Sequence, residues 1–230
     1  MTSSTVTVWT MHVGAPSAAA LSRWHAVLDS REVAQAARFH ADKDRNLYIA
    51  THALTRALLA HIGEKPAPVW QFAETEKGKP ELIDNESNLE FSLSHTAGLV
   101  ACAVAHFPVG IDTESRDRKQ KQGHMAQTVL APGELALLTT YPFDRQSEIF
   151  LRLWTLREAY VKATGQGISF PREDFAFTLD PLAIHFADKN LCDDWQFSTW
   201  DENRHIVSLA ASQRHDLTIV KRRLTADDLL

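Results

Sequence analysis

The sequence predicts an α+β protein built from two similar α/β subdomains, and three observations carry that expectation. Each half offers a helical stretch of about five turns followed by segments of alternating apolar and polar residues, the pattern of half-buried antiparallel strands. The small-residue runs Gly98-Leu-Val-Ala-Cys-Ala-Val-Ala105 and His205-Ile-Val-Ser-Leu-Ala-Ala211 look alike, as duplicated strands would. Pro108 stands between the halves, so subdomains 1–107 and 108–230 are expected, with the active site in the cleft where they meet.

Residues 6–9 alternate and open the chain with a strand. A helix is expected over 17–28, with Leu21, Trp24 and Leu28 on one side, and a short one over 31–39. The long helix of the first half, 43–62, has Leu47, Ala50, Leu54 and Leu58 as its core stripe; the opposite face of Arg45, Tyr48, His52 and Arg56 reads as the solvent side. Gly63 is expected just past its C-cap. Residues 69–72 then read as a strand, and 77–82 as a turn running into an extended segment, with Pro80 holding Lys79 extended. Leu89, Phe91 and Leu93 alternate with polar residues, which puts Ser94 and His95 at the carboxyl end of a half-buried strand. Segments 99–105 and 109–114 are expected to form a hairpin through His106-Phe-Pro108.

In the second half, residues 115–147 are polar and give one legible helix, 132–138. A helix over 147–164 carries Ile149, Leu153, Leu156 and Tyr160 on one side, and Leu151, Trp154, Glu158 and Lys162 roughly opposite, so it is expected to be covered on two faces. Gly165 and Gly167 stop it, and strands follow over 175–179, 183–186, 196–200, 205–211 and 217–223.

Composition narrows the function. The chain has 230 residues, 44% hydrophobic and 23% charged, and its 24 Lys+Arg against 29 Asp+Glu leave a net charge of −5, which argues against broad nucleic-acid binding. No apolar run approaches the ~20 residues of a membrane helix, and Met1-Thr-Ser-Ser-Thr lacks an export signal, so a cytoplasmic location is expected. Cys102 and Cys192 are far apart and read as structural thiols rather than a disulfide. Basic residues gather at Arg116, Arg118, Lys119 and Lys121 and again at Lys221-Arg-Arg223; solvated loop and strand edge account for both, although the first cluster could also meet an acidic protein.

Two segments carry the chemistry. On a strand, Asp112 and Glu114 leave the same face. On a helix, Trp154, Glu158 and Lys162 share a face at four-residue spacing. Three carboxylates and a lysine could therefore converge, and hard oxygen ligands beside a cation suit magnesium with a phosphate-bearing substrate. Each half of this set also has a structural explanation, a solvated D-x-E strand or a helix-supporting Glu–Lys pair. What favours enclosure is context: Gly110 and Asp112 interrupt an apolar run, and Leu151 and Trp154 flank Glu158. Ser94-His95 has no acid partner in view and no nucleophile-elbow motif around it, so a hydrolase triad is not indicated.

In their order, Gly78-Lys-Pro80 with Phe91-Ser-Leu-Ser-His95, Gly110-Ile-Asp-Thr-Glu114, and Trp154-Thr-Leu-Arg-Glu-Ala-Tyr-Val-Lys162 with Gly165-Gln-Gly167 resemble the phosphopantetheinyl transferases of the larger, pseudo-dimeric type. The resemblance implies transfer of 4′-phosphopantetheine from coenzyme A to a serine of an acyl or peptidyl carrier protein, releasing adenosine 3′,5′-bisphosphate. It implies Asp112, Glu114 and Glu158 as magnesium ligands and Lys162 at the phosphates. Ser94 and His95 would contact coenzyme A, Lys79 would border the nucleotide, and Glu158 or a water near it would be the base. Two departures stand out. Arg157 replaces a lysine and receives no contact here. The lysine pair some members use for the 3′-phosphate is absent around Glu32 and Gln35, and Arg45, with Arg56 further along, is the proposed substitute. A monomer is expected, with the carrier docking around residues 116–150. The rival readings are a magnesium-dependent nucleotide phosphohydrolase and a non-catalytic coenzyme A-binding module.

Overall fold

The computed structural model of the chain describes residues 4–117, 122–167, 171–188, 194–212 and 217–230. The first half runs β1 (Thr5–His12), α1 (Ala18–Val27), α2 (Ser30–Ala36), α3 (Asp42–Gly63), a 3-10 turn (Ala67–Val69), β2 (Phe72–Glu74), β3 (Pro80–Leu82), β4 (Glu90–Thr96) and β5 (Leu99–Ala105). The second runs β6 (Val109–Ser115), α4 (Gln122–Val129), α5 (Pro132–Thr140), α6 (Phe143–Thr164), β7 (Phe175–Leu179), β8 (Leu182–Phe186), β9 (Trp195–Glu202), β10 (His205–Ser212) and β11 (Thr218–Leu224).

The halves repeat one plan. In each, a first strand leads to a 22-residue helix, a two-stranded ribbon (β2–β3 or β7–β8) and a closing hairpin. The last strand of the hairpin sits at the centre of an antiparallel sheet, in the orders β1-β5-β4 and β6-β10-β9. The expected likeness of β5 and β10 therefore reflects equivalent places in two sheets. One strand breaks the repeat: β11 crosses back and pairs in parallel with β1, Thr218 opposite Thr5 and Arg223 opposite Thr10.

Alternation along the two central strands builds three cores. Val100, Cys102 and Val104 of β5 face α3 and join Leu54, Leu58 and Trp24 in the first core; Ile206 and Ala210 of β10 face α6 and join Leu153, Leu156 and Tyr160 in the second. The intervening residues, Leu99, Ala101, Ala103 and Ala105 with Val207, Leu209 and Ala211, meet each other and Val109 and Ile111 in a third core between the halves. Small residues let the two sheets close on each other, and each buried Leu or Val there contributes about 1.5–3 kcal/mol. The halves are thus welded by apolar burial rather than tethered.

Several expectations change. The face of α3 read as the solvent side is largely enclosed: Arg56 is fully buried, donating to Glu32 Oε2 (2.8 Å), Asp29 Oδ2 (3.0 Å) and the carbonyls of Ala67 and Trp70. His52 Nδ1 lies 2.9 Å from Glu32 Oε1, and Tyr48 packs on the His52 ring. A buried guanidinium needs such partners, and they come from α2, whose N-terminus Asp29 and Glu32 also close as a capping box. Gly63 is the last residue of α3, not the left-handed residue beyond it, which is Glu64 with φ 53°. Its lack of a side chain serves packing: a Cβ there would stand 2.6 Å from the Trp70 ring. Prolines 66 and 68 turn the chain in a 3-10 turn, delaying the strand expected at 69–72 to β2. The expected β5–β6 hairpin does not form. β5 pairs with β1 and β4, while β6 leaves for the other sheet and pairs with β10, so the two strands meet only across the third core. Helix α6 begins at Phe143, earlier than expected, and α4 precedes α5 in the polar stretch. Cys102 is buried and free; Cys192, like Arg118, Lys119 and Lys121, lies outside the described residues.

Candidate active site

Gly110 decides where α6 lies. A Cβ at that position would stand 1.9 Å from the Ala159 carbonyl oxygen and 2.6 Å from the Ala163 nitrogen, so only glycine lets the helix backbone rest directly on β6. Asp112 and Glu114 leave the same face of β6 two and four residues on, and the helix brings Trp154, Glu158 and Lys162 over them. The two sequence segments are therefore one site. Lys162 Nζ donates to Asp112 Oδ1 at 2.7 Å and to the Ile111 carbonyl at 3.2 Å, and the Trp154 indole N–H donates to Glu114 Oε1 at 3.3 Å.

The first half supplies the opposite wall. β4 runs beside β6 without a shared ladder, and two serines take the ladder's place. Ser92 Oγ accepts from Ile111 N (3.0 Å), and Ser94 Oγ accepts from Thr113 N (3.3 Å) while donating to Asp112 Oδ1 (2.8 Å). Ser94 was expected here and Ser92 was not. The signal was present in Phe91-Ser-Leu-Ser94, where two serines at strand spacing point to one face. Lys79 bridges the halves, donating to Glu90 Oε2 (3.2 Å) and to the Ala163 carbonyl at the end of α6 (3.3 Å). Gly165 and Gly167, with φ of +68° and +74°, pack on the Lys77–Lys79 turn.

These side chains line one cleft of about 450 Å³ that includes Lys79, Ser94, His95, Asp112, Glu114, Glu158 and Lys162. A second cavity, about 620 Å³, adjoins it through Pro80, Phe91 and Leu93 and is walled by Arg31, Arg38, Tyr48 and His52. Arg45 lines neither; its guanidinium pairs with Asp42 one turn away at the start of α3. Arg56 is also out of reach, enclosed by Glu32 and Asp29. Arg157, for which the sequence predicts no contact, points away from the cleft and is buried against Glu134 (2.9 Å) and the carbonyls of Phe175 and Arg172.

Electrostatics follow from the crowding. Burial, then the neighbouring Asp112 and, more weakly, Glu114, raise the Glu158 carboxyl above its ordinary range; Lys162 pulls the other way. Loss of hydration in the cleft, then the Lys162 ammonium, hold His95 below the ordinary imidazole value. Among the described residues, no group of three or more His, Cys, Asp or Glu side chains is arranged to hold a metal ion as it stands. Asp112 is engaged by Lys162 and Ser94, and Glu114 by Trp154. The donor chemistry nevertheless fits a hard divalent cation. Three carboxylates close enough to raise one of them would be relieved by positive charge, and their oxygens are the ligands such ions take.

Two family models match successive parts of the chain: the 4′-phosphopantetheinyl transferase superfamily over residues 108–218, and the 4′-phosphopantetheinyl transferase N-terminal family over residues 14–106. The chain is 37% identical over 160 residues to the 4′-phosphopantetheinyl transferase HetI of Nostoc sp., covering 68% of this chain and 67% of that one. It is 30% identical over 166 residues to a 4′-phosphopantetheinyl transferase of Bacillus subtilis, covering 71% of each. A holo-[acyl-carrier-protein] synthase of known structure from Thermotoga maritima aligns over 47% of this chain and 64% of its own, with 23% identity and a TM-score of 0.39.

Proposed function

The chain belongs to the 4′-phosphopantetheinyl transferase superfamily, and from that premise we propose that it moves the 4′-phosphopantetheine group of coenzyme A to a serine of an acyl or peptidyl carrier protein. The observation that carries this reading is the meeting of Asp112, Glu114 and Glu158 with the Lys162 ammonium in a cleft walled by both halves. A phosphate-bearing substrate needs cationic charge held in place, and Lys162 is held by Asp112 and the Ile111 carbonyl.

The chain's residues divide the work. Lys162 faces the diphosphate and stabilises charge on the bridging and leaving oxygens. Ser94, His95 and Lys79 line the wall along which coenzyme A lies. Glu158, with its raised proton affinity, is the acceptor for the hydroxyl proton of the carrier serine. The serine oxygen forms a bond to the phosphorus that bears pantetheine as the phosphoanhydride bond breaks, and adenosine 3′,5′-bisphosphate leaves. Asp112, Glu114 and Glu158 would hold a magnesium ion, which supplies charge neutralisation at the diphosphate.

The same reading takes residues 1–107 and 108–230 as two subdomains that share one site, and the chain as a monomer acting in the cytoplasm. Its support is the repeated sheet order on either side of one apolar core. No helix among the described residues is long and apolar enough to cross a membrane.

Mass spectrometry of an apo carrier domain incubated with the protein, coenzyme A and magnesium tests the proposal. Transfer adds the mass of one phosphopantetheine group to the carrier. Nucleotide turnover without that gain favours a phosphohydrolase, and binding of coenzyme A without either favours a binding module.

A further inference from the structure

We propose that His205 is a positioning residue that fixes the Ser94–His95 end of β4 over the acids of β6. This rests on the reading of Ser94 and His95 as part of the coenzyme A wall. His205 opens β10 in the second half, opposite Ser115 of β6 and Glu202 of β9, and is 7% exposed. Its Nε2 lies 2.9 Å from the carbonyl oxygen of Ala97, two residues beyond His95 in the turn between β4 and β5. One side chain thus reaches from the half that bears the acids to the turn that presents the opposite wall.

The chemistry of the contact fixes which nitrogen donates. A carbonyl only accepts, so Nε2 carries a proton, and in the neutral ring Nδ1 is the bare nitrogen. Nδ1 is buried and has no hydrogen-bond partner among the described residues, so the opposite tautomer would lose the Ala97 bond and gain nothing there. The turn has few other anchors. Gly98 takes φ +86° and its carbonyl accepts from Val13 N at 3.0 Å, while Ala97 itself is exposed. Among the described residues, the other hydrogen bonds that hold the turn come from the β4–β5 ladder, which runs up to Thr96 opposite Leu99, and from Val13 beside β1, all within the first half.

The role separates from general packing by what it should change. In the unliganded protein, nitrogen NMR of His205 should show the Nε2–H tautomer, with amide exchange in residues 94–98 slow in the wild type and faster in His205→Leu. With activity as the readout, His205→Leu should raise KM for coenzyme A by about ten-fold, the scale of one hydrogen bond. KM for the carrier should stay within about two-fold, and His205→Gln, which keeps an N–H of similar reach, should recover most of the loss. A wild-type KM for coenzyme A in His205→Leu overturns the proposal, as does an Nδ1–H tautomer. Should His205→Leu not fold, His205→Asn, polar but shorter, replaces it, and equal KM values for the Asn and Gln variants overturn the proposal. If the wild type transfers nothing, the proposed function fails, and the tautomer and exchange measurements still decide whether His205 holds the turn.

Discussion

Arg56 and Arg157 occupy the same place in the two halves. Each is the fifteenth residue of a 22-residue helix, each is buried, and each grips a glutamate at the start of the preceding short helix, Glu32 or Glu134. Each also lies over the ring of the phenylalanine that opens the following ribbon, Phe72 at 4.8 Å or Phe175 at 4.2 Å. In both, the glutamate accepts from the backbone N–H that starts its own helix, Asp29 or Ala131. Since the clasp recurs in the half that lacks the acids, it belongs to the scaffold.

The two copies differ in reserve. Arg56 has Asp29 as a second carboxylate, whereas Arg157 has Glu134 alone among the described residues, and Glu134 also accepts from Phe177 N at 2.9 Å. Breaking a buried pair typically costs about 3–5 kcal/mol. We expect Glu134→Ala to approach that range in urea denaturation and Glu32→Ala to fall below it.

Gly110→Ala tests how α6 is seated. With the new Cβ 1.9 Å from the Ala159 carbonyl, the helix must lift. Overpacking usually costs about 1–3 kcal/mol, and the displacement moves Glu158 and Lys162 off the acids of β6. We expect a lower unfolding midpoint together with a fall in transfer rate larger than the stability loss explains.

Glu158 gives a pH signature of known sign. Its folded carboxyl is raised, so the proton is bound more tightly in the folded state; that contribution to stability is present below the unfolded value and lost as pH rises through the folded one. Replacing Glu158 by Gln removes a charge that burial and Asp112 oppose. We expect Glu158→Gln to melt higher than the wild type at pH 7, with the gap closing as pH falls toward the ordinary glutamate range near ~4.3. Added magnesium should raise the wild-type midpoint and leave the variant nearly unmoved.

Lys162→Met removes the ammonium that contacts Asp112 and faces the cleft. Loss of one preorganised donor aimed at developing negative charge typically costs about 10²–10³ in kcat. We expect kcat to fall on that scale in a steady-state assay, with the fold retained by circular dichroism.

Arg45→Ala should leave KM for coenzyme A within about two-fold, because its guanidinium pairs with Asp42 at the surface, where such ion pairs contribute little. A large rise would return Arg45 to the ligand site.

What could be read from the sequence follows from the range of the interactions involved. Alternation along β4 and β6 and the four-residue spacing of Trp154, Glu158 and Lys162 are local, and they carry to the structure unchanged. Pairing is not local. The pattern of 99–105 and 109–114 identifies two strands without saying that they belong to different sheets. Arg56 and His52 look solvent-facing on a helical projection because the groups that make burial tolerable, Glu32 and Asp29, lie on another helix. Arg45 lies outside both cavities for the converse reason, an acid three residues away that holds its guanidinium at the start of α3. His205 sits in a strand pattern like any other half-buried residue, and only the fold brings the Ala97 carbonyl to it.

A scaffold written twice would be expected to offer two equivalent berths for a ligand. Here the second is foreclosed. Trp9 and Met11 hold the sheet positions that Asp112 and Glu114 hold in the other half, and β11 is zipped along the strand that bears them. The symmetry therefore ends at the backbone: among the described residues, the acids that gather on β6 have no counterpart on β1.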